Sequence, residues 1–337
     1  MKVLKTDKAV HLTDIFGRVH NYLRISLTDM CNLRCSYCMP QNAVFPPKEN
    51  LLTADEIITL SDLFVNRFLF NKIKFTGGEP LVNSEAGRII ESISRLSSVT
   101  SGRKPVEISI TTNGVLLDRY FDLFKQTALQ SINISLDSLD KDRFYQITKR
   151  NEFQRVYSNI RKAVQLGFNV KVNTVVMSGV NDDEVIDFVK LTIAEPLRVR
   201  FIEFMPFNGN GWGQNKVVNN RELLDRISNF FPVEKIYDKP NSTSVAYSVK
   251  RGKGSFAFIS TVSHPFCNRC NRLRLTADGK LRNCLFAQNE LDLITPLRNG
   301  ADLEKLIRTY VYTKDKQHGG LNLHDETIRK SMVMIGG

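Results

Sequence analysis

The sequence lacks any apolar run close to the ~18–20 residues that a membrane-spanning helix needs. Its first eight residues also lack the apolar core and the small-residue cleavage site of a secretory signal. Both absences predict a cytoplasmic, reducing location. The chain has no run of five basic residues, although 47 Lys and Arg against 35 Asp and Glu give it a net charge of +12. This balance suits an anionic partner, which can be nucleic acid, an acidic surface or a phosphorylated small molecule, but a generally basic surface explains it equally well.

Cysteine is scarce as well. The 337 residues include six cysteines, and residues 39–266 include none. The six form two sets of three that lie far apart along the chain. Disulfide scaffolds are usually short, secreted and dense in cysteine, so this distribution predicts two metal sites instead.

Between residues 22 and 204, short β-branched runs alternate with amphipathic stretches. This alternation indicates an α/β fold in which helices cover a parallel sheet. The predicted strands are Tyr22–Leu27, Lys72–Thr76, Val106–Thr112, Ser131–Leu136, Asn169–Val176 and Leu197–Phe204. Helices are predicted over residues 54–68, 155–166 and 183–191, and Thr53 and Glu56 form a capping box before the first of them. A six-unit open barrel and a doubly wound sheet fit this pattern equally well, and both bind ligands at the carboxyl ends of their strands.

The regular alternation stops beyond Pro232. A linker over residues 239–244 and a hairpin within residues 245–262 are predicted to follow it. We therefore expect two regions: residues 1–238, with the first cysteine set, and residues 239–337, with the second.

The first cysteine set, Cys31-x3-Cys35-x2-Cys38, directly follows the first predicted strand. Three thiolates can each bind one iron of a [4Fe–4S] cluster, which leaves the fourth iron without a protein ligand. An open metal position can bind an external ligand, and the amino-acid end of S-adenosylmethionine suits this one. The alternatives are a chance grouping and an incomplete zinc site, to which His11 and His20 are the nearest histidines.

The segment with Tyr37 before the third cysteine resembles the signature of the radical S-adenosylmethionine superfamily. The resemblance implies a partial (βα)6 barrel and reductive cleavage of S-adenosylmethionine. Gly77-Gly78-Glu79-Pro80 is similar to the GGEP element of that superfamily. Four residues are thereby implied to contact S-adenosylmethionine: Tyr37, Gly78, Ser135 and Met205.

The second cysteine set, Cys267-x2-Cys270-x13-Cys284, again offers three thiolates. A zinc half-site completed by His264 is the main alternative. Arg272 and Arg274 follow the cysteine pair, and on an extended segment they project to the same side. Guanidinium groups there suit a phosphorylated substrate, although a solvated basic strand gives the same pattern.

Together these features resemble the GTP 3′,8-cyclase (molybdenum cofactor biosynthesis protein A) family, from Leu23-Arg24-Ile25-Ser26 through Cys38-Met39-Pro40 to Gly336-Gly337. The resemblance implies two [4Fe–4S] clusters, the second of which binds the guanine of GTP. The residues implied to bind GTP are Arg24, Lys72, Lys74, Thr111, Lys171, Arg200, Arg272, Leu273 and Arg274. Arg272, Arg274, Gly336 and Gly337 are implied to be catalytic, the glycines because the family tail reaches into the active site. At Lys74 the family typically has arginine, so the charge is kept but the two-pronged guanidinium is lost.

The implied reaction joins ribose C3′ to guanine C8 and forms 3′,8-cyclo-7,8-dihydro-GTP, in the first step of molybdenum cofactor biosynthesis. The implied partners are a flavodoxin- or ferredoxin-type electron donor and a downstream cyclic pyranopterin monophosphate synthase; nucleic acid and membrane are not among them, and a homodimer stays open. One alternative is a radical S-adenosylmethionine peptide-modifying enzyme with an auxiliary cluster, which normally has more cysteines near its C-terminus. The other is a zinc-containing nucleic-acid-binding protein, but the aromatic-interleaved basic patch that it would need is missing.

Overall fold

A computed structural model of the chain describes residues 9–40, 42–98, 104–237, 240–322 and 330–336. Its strands are β1 (Leu12–Thr13), β2 (Val19–His20), β3 (Tyr22–Ser26), β4 (Lys72–Thr76), β5 (Ser97–Ser98), β6 (Lys104–Pro105), β7 (Glu107–Thr112), β8 (Leu129–Ser135), β9 (Asn169–Val176), β10 (Arg198–Glu203), β11 (Val233–Lys235), β12 (Val245–Val249), β13 (Ser255–Ile259), β14 (Arg272–Leu275), β15 (Lys280–Arg282) and β16 (Leu291–Asp292). Its α-helices are α1 (Ala54–Asp62), α2 (Ala86–Ser94), α3 (Phe121–Gln126), α4 (Lys141–Thr148), α5 (Phe153–Gln165), α6 (Val185–Ala194), α7 (Asn220–Phe230), α8 (Ile294–Arg298) and α9 (Glu304–Tyr312). A π-helical turn, Leu63–Arg67, continues α1. In the part of the chain described, no helix is long and apolar enough to cross a membrane.

Most of the strands belong to one mixed sheet. Its order is β11-β12-β13-β10-β9-β8-β7-β4-β3-β14-β15-β16. Neighbours from β13 to β14 are parallel, and the two ends of the sheet are antiparallel. The predicted parallel α/β sheet is confirmed, and the six predicted strands correspond to β3, β4, β7, β8, β9 and β10 with boundaries that differ by two residues at most.

The six central strands follow one another across the sheet in the same order as along the chain. A doubly wound sheet reverses its direction at a switch point, and this order has no such reversal among the six strands; the partial barrel itself stays a prediction. The two outer strands of this set, β3 and β10, are not neighbours of each other; β14 pairs with β3, and β13 pairs with β10.

The region after residue 239 is thus joined to both sides of the six-stranded core. β12 and β13 form the predicted hairpin, with Val245 opposite Phe258, while β14 and β15 form a second antiparallel pair at the other end of the sheet. Residues 238 and 239, at the predicted boundary, lie outside the described residues. The division into two regions therefore stays a prediction.

Side chains alternate along the parallel strands, as a sheet with two different faces requires. On β10, Val199 and Phe201 are fully buried in the apolar core, whereas Arg198 and Arg200 line a cavity. The first helix begins as predicted: Glu56 donates its backbone N–H to Thr53 Oγ1 at 3.3 Å, and Thr53 donates its own to Glu56 Oε2 at 2.8 Å. The capping box therefore fixes where α1 starts.

Phe201 joins the two regions within the core, because its ring packs on Phe188 of α6 and on Phe256 and Phe258 of β13. We expect Phe201→Ala to lower the free energy of unfolding by about 3–5 kcal/mol, in a single transition that includes both regions. Phe230→Ala is the control, since that ring is 68% exposed and its loss should change stability by about 0.5 kcal/mol or less. Thermal unfolding followed by circular dichroism measures both variants, and two separate transitions would contradict a shared core.

Candidate active site

A cavity of about 800 Å³ lies along the inner face of the sheet. Each of the six central strands contributes alternate side chains to its wall, and the loops that carry the two cysteine sets contribute further side chains, as does the segment of residues 240–244. All six cysteines line this cavity and none is in a disulfide bond. Two sets that are more than 200 residues apart in the sequence therefore face the same space.

The loop of the first set is held by backbone hydrogen bonds to its surroundings. Arg34 and Ser36 donate their N–H groups to the carbonyls of Thr148 and Ile147 at the end of α4, at 2.9 and 3.0 Å. Cys31 Sγ accepts from the N–H of Leu33 at 3.4 Å. Burial raises the pKa of Cys38 to about 12 and that of Cys35 well above its usual range. These thiols are therefore protonated in the ligand-free chain, and metal binding would release their protons.

The glycine pair after β4 packs directly on the first cysteine loop. Gly78 donates its N–H to the carbonyl of Thr28 at 2.7 Å, and Glu79 donates its N–H to that of Met30 at 2.8 Å. A Cβ atom at Gly78 would lie 2.5 Å from the carbonyl oxygens of both Asp29 and Met30. Only glycine allows this approach of the two backbones.

Glu79, which the sequence analysis did not select, connects three of the loops around the cavity. Its carboxyl group is fully buried and accepts hydrogen bonds from Leu81 N at 3.1 Å, from Thr112 Oγ1 at 2.7 Å and from Asn113 N at 2.6 Å. Burial raises its pKa to about 7 in spite of these donors. The GGEP resemblance was the only sequence signal for this residue.

Asp137, also missed, holds Tyr37. The tyrosine donates its hydroxyl to Asp137 Oδ2, and Val175 donates its N–H to Oδ1, both at 2.8 Å. Burial raises the pKa of Asp137 to about 6. Ser135 and Met205, the other residues implied to contact S-adenosylmethionine, line the same cavity.

Five of the residues implied to bind GTP form a group of buried or half-buried cations on strands of the same sheet. Arg24 of β3 lies between Lys74 of β4 and Arg274 of β14 in register. Lys171 and Arg200 face the cavity from β9 and β10. Burial first, and repulsion between these cations second, lowers the pKa of Lys171 to about 8, and that of Lys74 well below its usual range. The group therefore favours an anion.

Arg200 is fixed by two asparagines. Its Nε donates to Asn173 Oδ1 at 2.9 Å, and its Nη2 donates to Asn133 Oδ1. Because both acceptors are neutral, they orient the guanidinium and leave its positive charge uncompensated.

Lys72, Thr111 and Leu273 differ from this cationic group. Lys72 donates to Glu107 Oε1 at 2.5 Å, so its charge is already paired. Thr111 lines the cavity from β7. The side chain of Leu273 is fully buried in the apolar core, so only its backbone, between Arg272 and Arg274, is placed to meet a ligand.

The pair Cys267 and Cys270 of the second set is held from behind by two cations. Lys314 donates to Cys270 Sγ at 3.5 Å and to the carbonyl of Arg272 at 3.1 Å, and Arg18 donates to the carbonyl of Cys267 at 2.8 Å. Burial alone would raise the pKa of Cys270, but the charges of Lys314 and Arg272 outweigh it and lower the pKa to about 7. A thiolate is therefore favoured at this position.

His264, the alternative zinc ligand, is exposed and is not among the residues that line the cavity. Its Nδ1 lies 3.3 Å from Ser263 Oγ. The guanidinium of Arg272, by contrast, stacks on the ring of Phe266 at 4.7 Å and does line the cavity.

Gly336, near the end of the chain, packs against β3 and β4. Gly336 has φ of 77°, and a Cβ atom there would lie 3.0 Å from Thr76 Oγ1 and 3.2 Å from Ser26 Cβ. Arg274 Nη1 donates to the carbonyls of Ile335 and Gly336, both at 3.4 Å. Gly337 lies outside the described residues, so its predicted role stays a prediction.

Comparisons with known proteins show which family this chain resembles. Residues 25–192 match the family model of the radical SAM superfamily, and residues 197–320 match that of Molybdenum Cofactor Synthesis C. "GTP 3′,8-cyclase, mitochondrial" of Arabidopsis thaliana is 44% identical over 97% of this chain and 83% of its own length. "GTP 3′,8-cyclase" of Alkaliphilus oremlandii is 36% identical over 97% of this chain and 100% of its own length.

Other relatives are longer. "Molybdenum cofactor biosynthesis protein 1" of Homo sapiens is 44% identical over 96% of this chain, which spans only 51% of that protein. Among solved structures, Streptococcus suis SuiB bound to S-adenosylmethionine has a TM-score of 0.61 at 14% identity, covering 90% of this chain and 68% of SuiB. At that identity the likeness concerns the fold alone.

The fold and the match to residues 25–192 define the class of this chain: it is a radical S-adenosylmethionine protein. Its full-length relatives narrow the assignment, and the chain belongs to the GTP 3′,8-cyclase family.

The role of the close packing at Gly78 in iron binding by the first cysteine set can be tested once the cysteines of the second set are removed. In a full-length chain with Cys267, Cys270 and Cys284 replaced by alanine, we expect Gly78→Ala to reduce iron and sulfide retained after anaerobic reconstitution, because the added methyl group separates the glycine loop from the loop of Cys31. Gly87→Ala is the control, since a Cβ atom there meets only Leu123 Cδ2, at 3.5 Å. Equal iron content in the two variants would contradict this role of Gly78.

Proposed function

We propose that this chain is a GTP 3′,8-cyclase that converts GTP to (8S)-3′,8-cyclo-7,8-dihydroguanosine 5′-triphosphate, in the first step of molybdenum cofactor biosynthesis. One observation carries the proposal: both cysteine sets and a group of buried or half-buried cations line the same cavity. A radical-generating site alone would not need the second set or the cations. The full-length relatives named for this activity support the same conclusion.

We also infer that the central strands form a partial (βα)6 barrel, and that the region from residue 239 closes it and carries a second cluster. The order of the strands and a cavity lined by all six support the barrel. The position of β14 beside β3 supports the closure, since it brings Arg272 opposite Tyr22, and both side chains line the cavity.

The residues fit the implied cofactors by their chemistry. Each set offers three free thiols, the donors that iron–sulfur clusters use. Among the described residues, no three His, Cys, Asp or Glu side chains are gathered as around a single ion, so the fit rests on the donor type and on the surroundings of each set. When bound, a [4Fe–4S] cluster on Cys31, Cys35 and Cys38 together with S-adenosylmethionine supplies the 5′-deoxyadenosyl radical.

The chain's own residues bind and orient the nucleotide. Lys74, Lys171 and Arg200 have no carboxylate partner in an ion pair in the described parts of the chain, and they are shielded from water, so their attraction for a triphosphate is weakly screened. Arg200, held by its asparagines, needs little reorganisation when the substrate binds. We propose that Arg24, Arg272 and Arg274 complete this lining, and that Gly336 lets the chain end approach the substrate.

The predicted partners and location follow only from the proposed activity. An electron donor of flavodoxin or ferredoxin type and a downstream cyclic pyranopterin monophosphate synthase stay proposals, as does a homodimer. The cytoplasmic location also stays a prediction, and the Arabidopsis relative is named as mitochondrial. The fold of SuiB alone does not favour the peptide-modifying alternative.

Turnover tests the reaction directly. Anaerobically reconstituted protein with GTP, S-adenosylmethionine and dithionite should yield 5′-deoxyadenosine and cyclised nucleotide in equal amounts by liquid chromatography. Cys267→Ala should abolish the cyclised nucleotide while the electron paramagnetic resonance signal of the first cluster remains. The proposal would be contradicted if the unaltered protein formed deoxyadenosine without consuming GTP. It would also be contradicted if the Cys267→Ala variant still produced the cyclised nucleotide.

Replacing Lys74 should have opposite effects on the stability of the protein and on its affinity for GTP. Because burial disfavours its charge, Lys74→Met should raise the melting temperature of the ligand-free protein. The same variant should weaken GTP binding by about 10- to 100-fold, as expected for loss of a charged hydrogen bond of about 1.5–3 kcal/mol. Calorimetry with GTP measures the affinity.

Lys72→Met is the matched control, since this neighbouring lysine is partly exposed and paired with Glu107. It should not raise the melting temperature, and its effect on GTP binding should stay below about fivefold. If the two variants behaved alike, the buried cations would not form the triphosphate site.

A further inference from the structure

Lys314 is a buried lysine to which neither the family resemblance nor the proposed reaction assigns a role. It follows α9 and is 2% exposed. Its ammonium group donates to Cys270 Sγ and to the carbonyl of Arg272. It therefore touches both a proposed cluster ligand and the backbone of the strand that carries the proposed phosphate-binding arginines.

The charge of Lys314 is not neutralised by an ion pair. Among the described residues, no carboxylate lies within ion-pair distance of it. The neighbouring His20 does not add a positive charge, because burial and the charge of Lys314 lower the pKa of this histidine to about 3. The other cation behind the cysteine pair, Arg18, is paired with Asp14, whose Oδ2 accepts from its Nε at 2.6 Å. Lys314 is thus the cation that donates directly to Cys270 Sγ, and Arg272, on the strand that follows, adds to the positive charge around this cysteine.

The first cysteine set has different surroundings. Cys31 Sγ accepts from neutral donors, the N–H of Leu33 and Asn113 Nδ2, the latter at 3.7 Å. A cation lies beside this set too, but Arg34 Nη1 donates to the backbone carbonyls of Cys31 and Leu33, at 2.7 and 3.2 Å. The difference therefore lies at the sulfur atoms: Cys31 Sγ accepts from a backbone N–H and an amide, whereas Cys270 Sγ accepts from an ammonium group.

Hydrogen bonds to the ligand sulfurs and the net charge nearby set the reduction potential of an iron–sulfur cluster. A reduced cluster carries one more negative charge than an oxidised one, so an ammonium group in contact with a ligand sulfur stabilises the reduced form. We propose that Lys314 is a positioning residue that raises the reduction potential of the second cluster by donating to Cys270 and by fixing the backbone of Arg272. This role rests on the proposed second cluster.

The test uses full-length protein in which Cys31, Cys35 and Cys38 are replaced by alanine, so that one cluster is measured. Redox titration followed by electron paramagnetic resonance gives its midpoint potential. We expect Lys314→Met to shift the midpoint to a lower value than in the parent. Lys316→Met is the control, because Lys316 is exposed two residues further on and contributes only its backbone carbonyl to Arg18. The midpoint of this control should equal that of the parent.

Two more variants allow the proposal to be tested even if Lys314→Met fails to retain the cluster. Lys314→Arg keeps a cationic donor and should stay near the parent midpoint, whereas Lys314→Gln removes the charge and should fall below it. Equal midpoints in the Arg and Gln variants, or in the Lys314→Met and Lys316→Met variants, overturn the role of Lys314 alone. A parent that retains no iron on Cys267, Cys270 and Cys284 overturns the second cluster itself and the role of Lys314 with it.

Discussion

The parallel pairing of β14 with β3 is the contact on which the candidate site depends. It sets Arg274 beside Arg24 and Arg272 beside Tyr22, although about 250 residues separate the two strands. Because the second cysteine pair directly precedes β14, the same register brings it to the cavity that the first set lines. The contact closes a very long loop, and the entropic cost of closing a loop grows only slowly with its length. Burial of the apolar faces of the surrounding strands can offset this cost. A shift of one residue would turn both arginines into the core.

The inner face of the sheet is electrostatically unfavourable in the absence of a ligand. Arg24, Lys74 and Arg274 lie side by side on adjacent strands, and burial lowers the pKa of each of them. Such a group weakens the folded state and strengthens the binding of an anion, which is the usual relation between stability and function at a preorganised site. The core formed by the phenylalanines of α6, β10 and β13 packs on the opposite face of the same sheet, where apolar burial can offset this cost.

The sequence predicted the central sheet well because each strand has a regular pattern of burial. On β9, buried side chains alternate with more accessible ones along its whole length, and the capping box before α1 is a local signal that needs no tertiary contact. Glu79, Asp137 and Lys314 were missed because their importance comes from partners far along the chain. Lys314 has no local motif, and its contact with Cys270 exists only once β14 is paired. The sequence could not decide between an open barrel and a doubly wound sheet for the same reason, since the order of strands in a sheet depends on tertiary contacts.

The two cysteine sets are chemically alike in sequence and unlike in structure, and the difference has a physical origin. The first set lies in a loop at the carboxyl ends of β3 and β4, where buried carboxyl groups fix the loops. The second set lies against a segment after α9 that contributes a lysine with no acidic partner among the described residues. Electron transfer runs toward the site where the added negative charge is better stabilised. In the proposed enzyme, the ammonium group of Lys314 would therefore help to stabilise an added electron on the side of Cys270, next to the cations proposed to hold the nucleotide.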